Sequence, residues 1–259
     1  MINLNKRKIA LKQIKLLIEK PENVLLIHYS CESFYDRDSM CSPRITSIAV
    51  TNLYSRQTHS FSIHQEAEIR GKLDDIDNNY DFLEREMLTK FYKFVDKNSM
   101  KKWVHWNMKN SNYGFLAIEH RFKVLGGEPI VISDQDKIDL NSLLIDIYGV
   151  GYIGHPRLEK LIDKNNISKS NFLSGQNEAD AFEKKDYLKL HQSTLRKTDI
   201  FCNILERINN KKLKTNLNFS SLQGNRILYF IDWFNNHSII VFLLAISGWI
   251  FGFLQLFYN

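Results

Sequence analysis

The chain is poor in cysteine, with Cys31, Cys41 and Cys202 its whole complement in 259 residues. Three scattered thiols make neither a disulfide framework nor a CxxC zinc site, and such usage fits a reducing cytoplasm. The Walker loop and the HExxH, GxSxG and GxGxxG patterns are also missing, which removes four common signatures of nucleotide, zinc and hydrolase chemistry. The glycines of YGVGYIGHP come without the Lys and Ser/Thr of a phosphate loop. Nothing at the start reads as a secretory signal. Lys6, Arg7, Lys8, Lys12, Lys15 and Lys20 interrupt an amphipathic pattern of Ile9, Leu11, Ile14, Leu16, Leu17 and Ile18, so no apolar core forms.

One stretch lacks charge altogether. Residues 238–257, SIIVFLLAISGWIFGFLQLF, run for twenty residues without a formal charge. At about 1.5 Å per residue a helix of that length matches a hydrocarbon core roughly 30 Å thick. Apolar side chains surround its helical wheel and leave no polar face of the kind a soluble-core helix keeps. Trp249 lies within it, and Ser247, Gly248 and Gly252 put small side chains at helical spacing, where two such helices can self-associate. Upstream, Arg207, Lys211, Lys212, Lys214 and Arg226 occur with no carboxylate before Asp232. The positive-inside bias then keeps the preceding domain cytoplasmic, and the same charges attract anionic lipid. The expectation is a single-pass inner-membrane protein with the lipid bilayer as a partner.

The formal net charge of +6 and pI near 9.0 admit nucleic acid, nucleotide or anionic lipid as partners. Much of the excess is local, in the first helix and in the segment before the apolar run. Four regions result: an amphipathic helix over 1–22, an α/β domain over 23–208, a basic linker with an interfacial RILYFIDWF segment over 209–237, and the membrane span at 238–257.

Hydrophobic periodicity predicts a helix at 4–20, then strands at 24–29, 44–53 and 56–64. A long helix follows at 81–96, a fourth strand at 102–106, a helix at 113–125 and a fifth strand at 129–132. Helices at 140–148 and 157–164 and one long or broken helical stretch at 178–211 complete the domain. Three strands followed by alternating helix and strand imply a mixed five-stranded sheet, an antiparallel meander continued by parallel strands through crossover helices.

Three segments carry a family resemblance. They are VLLIHYSCESF at the end of the first strand, HWNMKNSNYGFL after the fourth, and STLRKTDIF in the last helix. Together they resemble the DEDD-type 3′-to-5′ exonucleases of RNase-H-like fold, whose pattern is Asp-x-Glu, then His-Asn with Phe-Asp-x-x-Phe-Leu, then His-x4-Asp. The resemblance implies that Glu32 holds the Glu position and Ser30 that of the first Asp. It aligns His105 and Asn107 with the polar pair, and Asn112 stands where a metal-binding Asp belongs. It puts Asp199 at the last carboxylate and Thr194 at the general base, although a shift in register brings in His191 instead. Two metal ligands of four, Glu32 and Asp199, remain.

Two-metal phosphodiester hydrolysis needs clustered carboxylates, and neutral Ser and Asn do not supply their charge. The resemblance therefore implies a degenerate exonuclease-like domain with no cofactor. Mg²⁺ or Mn²⁺ enters only in an active-exonuclease alternative, where Asp36 or Asp38 of CESFYDRDS replaces a lost ligand. His28, His105 and His191 read as core or rim residues before they read as ligands. Arg196 and Lys197, beside Ser193 and Thr194, offer charge-assisted hydrogen bonds to phosphate. The expected function is a membrane-anchored cytoplasmic protein whose domain binds nucleic acid or a nucleoprotein partner complex. In general design that resembles the membrane-acting effectors of bacterial antiphage systems. A tail-anchored adaptor is the other alternative.

Deleting residues 238–259 is expected to move the protein from the membrane fraction to the soluble one, because the remaining basic segment binds lipid only reversibly. Full-length protein released by carbonate or salt without detergent would exclude the span.

Overall fold

The computed structural model describes residues 3–32, 42–109 and 113–217. These form an α/β domain in which five strands, β1 (Val24–Cys31), β2 (Ile45–Asn52), β3 (Thr58–Ser62), β4 (Lys102–His105) and β5 (Lys137–Asp139), make one mixed sheet in the order 3-2-1-4-5. Its helices are α1 (Leu4–Glu19), α2 (Ile63–Ile69), α3 (Tyr80–Asn98), α4 (Phe115–Val124), α5 (Leu140–Tyr148), α6 (Arg157–Lys164), α7 (Gly175–Glu183) and α8 (Tyr187–Asn209). No helix among the described residues is long and apolar enough to cross a membrane. The expected span at 238–257, with Gly248, Trp249 and Gly252, lies outside the described residues.

Strand β1 opens with the apolar run Val24–Ile27 and is covered on both faces, which suits the middle of a sheet. It pairs antiparallel with β2, Ile27 opposite Val50, and parallel with β4, Leu26 opposite Val104. Strand β3 pairs only with β2, and its outer residues stay exposed as an edge strand requires. Successive side chains of a strand point to opposite faces, and the two cores divide accordingly. Leu25, Ile27 and Tyr29 face α3 and α4, among Met87, Phe91, Ile118 and Phe122. Val24 and Leu26 face α1, α5 and α8, among Ile14, Leu144, Phe201 and Ile204. Burying each such side chain contributes about 1.5–3 kcal/mol relative to exposure. His28 and Ser30 continue the second face, where the polar site begins.

Three expected elements differ. The third strand stops at Ser62, whose hydroxyl accepts a hydrogen bond from the Gln65 N–H at 3.2 Å and so caps α2, a helix absent from the periodicity reading. Residues 129–132 form no strand; Pro129 has no N–H to give a ladder, and the fifth strand is Lys137–Asp139, with Ile138 opposite Val104. The stretch at 178–211 divides into α7 and α8. Lys185 takes a left-handed φ of 59° between them, and the Asp186 carboxylate caps α8 by accepting from the Lys189 N–H at 3.2 Å.

A buried ion network ties α3, α4 and β2 together. Arg121 of α4 donates from Nε to both oxygens of Glu84 at 3.0 Å and from Nη2 to Asp81 at 2.6 Å, while the Ile45 N–H donates to Glu84 at 2.6 Å. Burial pushes the Glu84 carboxyl above its ordinary value, and Arg121 opposes that rise. Arg121→Met should lower stability by about 3–5 kcal/mol, since Glu84 would then be a buried charge without its partner. The double variant Arg121→Met with Glu84→Leu should recover part of the loss. An unchanged urea midpoint for the single variant would contradict this role.

Candidate functional site

Strands β1 and β4 are parallel neighbours, and the crevice beyond the carboxyl ends of such strands is where open α/β sheets bind ligands. A cleft of about 670 Å³ opens there. Its floor is His28 and Ser30 of β1, on one face by strand alternation, and Glu32 just past the strand, with Trp106 and Asn107 after β4. The starts of α6 and α7 form the far wall, and Lys197 of α8 closes the near side.

A chain of hydroxyls crosses the floor to a carboxylate. Ser47 of β2 and Ser30 each lie 2.7 Å, oxygen to oxygen, from the Thr194 hydroxyl, and Ser30 donates to Glu178 Oε1 at 3.1 Å. Ser193 donates to the same oxygen at 2.9 Å, and Lys197 Nζ lies 2.7 Å from Glu178 Oε2. Both oxygens of Glu178 are thereby engaged. Glu32 is held by Arg44, with Nη2 to Oε1 at 2.9 Å and Nε to Oε2 at 3.2 Å. The Arg44 guanidinium is itself fixed over the rings of Tyr80 and Phe182, at 4.7 and 5.2 Å.

Ser30, Glu32, Asn107 and Lys197 are therefore gathered at one cleft, with Thr194 bonded beneath its floor. Asn107 adopts φ 56°, its side-chain oxygen accepts from Asn141 at 2.8 Å, and its N–H donates to Asp139 at 3.1 Å. His105 points to the opposite side of the sheet, where its Nδ1 accepts from the Met108 N–H at 3.1 Å and its ring packs edge-on to Phe115. Arg196 turns away from Lys197 and donates to the Ser168 carbonyl at 2.6 Å and to Asp199. Asp199 has a side chain 59% exposed and does not line the cleft. The α8 side chain facing Ser30 is Thr194. His191 sits beside His64, away from the cleft. Asn112, Asp36 and Asp38 lie outside the described residues.

Among the described residues, the divalent ions that the exonuclease resemblance brings with it do not fit this donor set. Ser30 and Thr194 are neutral and hydrogen-bonded to each other, and each carboxylate of the floor is neutralised by a cation. Among the described residues no three His, Cys, Asp or Glu side chains gather as a metal site.

Sequence reasoning missed Glu178, Arg157, His155 and Phe172. Glu178 is 148 residues from the serine it meets, so no local spacing announces the contact.

His28 is 5% exposed, and neither ring nitrogen has a hydrogen-bond partner among the described residues. Burial, and secondarily the Lys197 charge, hold its pKa well below the ordinary 6.5. Burial likewise lowers His105 and His191 to about 4. For a base depressed by folding, the unfolded chain takes the proton first as pH falls. Stability should thus be intact above the ordinary 6.5 and fall as the pH drops toward about 4. Thermal midpoints across that window should decline, and His191→Gln should flatten part of the slope. A flat profile between pH 7 and pH 5 would refute the neutral-histidine assignment.

Comparison with known protein families, curated proteins and solved structures finds no match to this chain.

Proposed function

We propose that the chain is a membrane-tethered protein whose RNase-H-like domain binds nucleic acid and does not cleave it. The sheet order 3-2-1-4-5, antiparallel through β1 and parallel beyond it, with a long helix laid against β1 and β2, supports the RNase-H-like plan. The observation that carries the loss of hydrolysis is the Lys197 ammonium at 2.7 Å from Glu178, beneath a Ser30–Thr194 hydroxyl pair. In a metal-dependent nuclease that volume holds cations between carboxylates. Here the protein fills it with its own cation and its own hydrogen bonds.

What remains is a cleft with polar floor and aromatic sides, open at the strand ends. Trp106 and Phe172 line it with aromatic rings of the kind on which bases stack, and that contact is sequence-tolerant. The apolar run at 238–257 then supplies the output, holding whatever the domain binds at the bilayer.

Purified full chain in detergent should not degrade single-stranded or duplex DNA or RNA with Mg²⁺ or Mn²⁺, and should bind single-stranded oligonucleotide equally well with EDTA present. Digestion abolished by Glu32→Ala would establish the exonuclease alternative. Binding of neither DNA nor RNA, with a protein partner co-purifying from membranes, would establish the adaptor alternative.

A further inference from the structure

The charges around the cleft are settled in pairs with one exception on the cationic side. Glu32 is bound by Arg44 and Glu178 by Lys197. Arg157 lines the same cleft and has no ion pair or hydrogen bond among the described residues, and its Nε is buried without a partner. A guanidinium half out of water with an unused donor is costly unless something completes it. Among the described residues the one lining carboxylate without an ion pair is Glu159, which lies in the first turn of α6, where the helix dipole accommodates it.

Two helices also begin here. Arg157 is the first residue of α6 and Gly175 the first of α7, and both line the cleft. Their first turns border the space that Arg157 borders; α6 has no side-chain cap, while α7 is capped by the Ser174 hydroxyl, which accepts from the Asn177 N–H at 3.2 Å. Beneath it, His28 offers an unused donor and acceptor from a buried neutral imidazole, a second and independent sign of a missing polar ligand. Trp106, held face-to-face against Phe201 with centroids 6.0 Å apart, stands beside them.

We infer that the cleft seats a single nucleotide unit without metal, its phosphate on Arg157 and the N-terminus of α6, its base beside Trp106 and Phe172, and its polar edge on His28. A volume of about 670 Å³ lies within the range of small-ligand pockets. The unit is either the end of a nucleic-acid chain or a free nucleotide. Only the first source rests on the function proposed above.

The test is equilibrium binding to the full chain in detergent with EDTA, using a short single strand with a 5′-phosphate, the same strand with a 3′-phosphate, the same strand with hydroxyls at both ends, and AMP. A terminal phosphate should tighten binding about tenfold, the effect of one charge-assisted contact. Arg157→Gln should erase that advantage and Arg157→Lys should restore part of it. Arg207→Gln, an equal loss of charge on α8 away from the cleft, should leave the advantage intact. Thermal midpoints near that of the parent would show that the variants fold. AMP bound with no strand bound would uphold the phosphate seat and remove the nucleic-acid function. Strands bound with no preference for a terminal phosphate would uphold that function and overturn the seat. Equal losses in Arg157→Gln and Arg207→Gln, or no binding of any phosphorylated probe, would also overturn it.

Discussion

The ion pair between Lys197 and Glu178 is the constraint on which the rest of the site depends. Lys197 is 5% exposed, and a charge so placed must be paired or relinquished. Pairing it fixes α7 against α8, and the two remaining acceptor needs of Glu178 draw in Ser193 and Ser30. Ser30 in turn brings Thr194, and Thr194 brings Ser47, so a single compensated charge organises two helices and two strands. Such a network is worth most when every member is satisfied, and here the carboxylate is.

That arrangement also decides what the cleft can hold. A floor that has supplied its own cation and donors presents little field to a hard divalent ion, yet leaves Arg157 and His28 with unused hydrogen-bonding capacity. The attraction left over is therefore for a ligand that accepts from a guanidinium and meets an imidazole edge. The scaffold beneath is stiff: β1 is paired on both sides and packed on both faces, and Arg121 with Glu84 locks α3 to α4 on the opposite layer. Polar groups mounted on such elements keep their geometry without a ligand present.

Much of the fold was legible before any coordinates. Apolar runs and alternation located β1, β2 and β4, and the 3.6-residue period located α1, α3, α5 and α6, within a residue or two at most ends. The errors share one cause, local chemistry outweighing hydrophobic pattern. Ser62 capped a helix where alternation continued a strand, and Pro129 stood in an apolar run that cannot join a ladder. Lys185 broke a helical stretch through a left-handed backbone that its side chain does not announce.

The sequence by itself determined the kind of chemistry available: Ser30 where the family pattern has an Asp, a lone carboxylate at Glu32, two adjacent cations at Arg196 and Lys197, and a charge-free run near the end. Only the tertiary structure decided which of these meet. A helix turns about 100° per residue, so Arg196, one step before Lys197, and Asp199, two steps after it, leave the face that carries Lys197 into the cleft and bond to each other outside it. Which face meets the cleft is set by Ile200, Phe201 and Ile204 packing into the second core. The partner Glu178 arrives through a separate helix far along the chain from Ser30, because contacts across the sheet are chosen by packing and not by spacing in sequence.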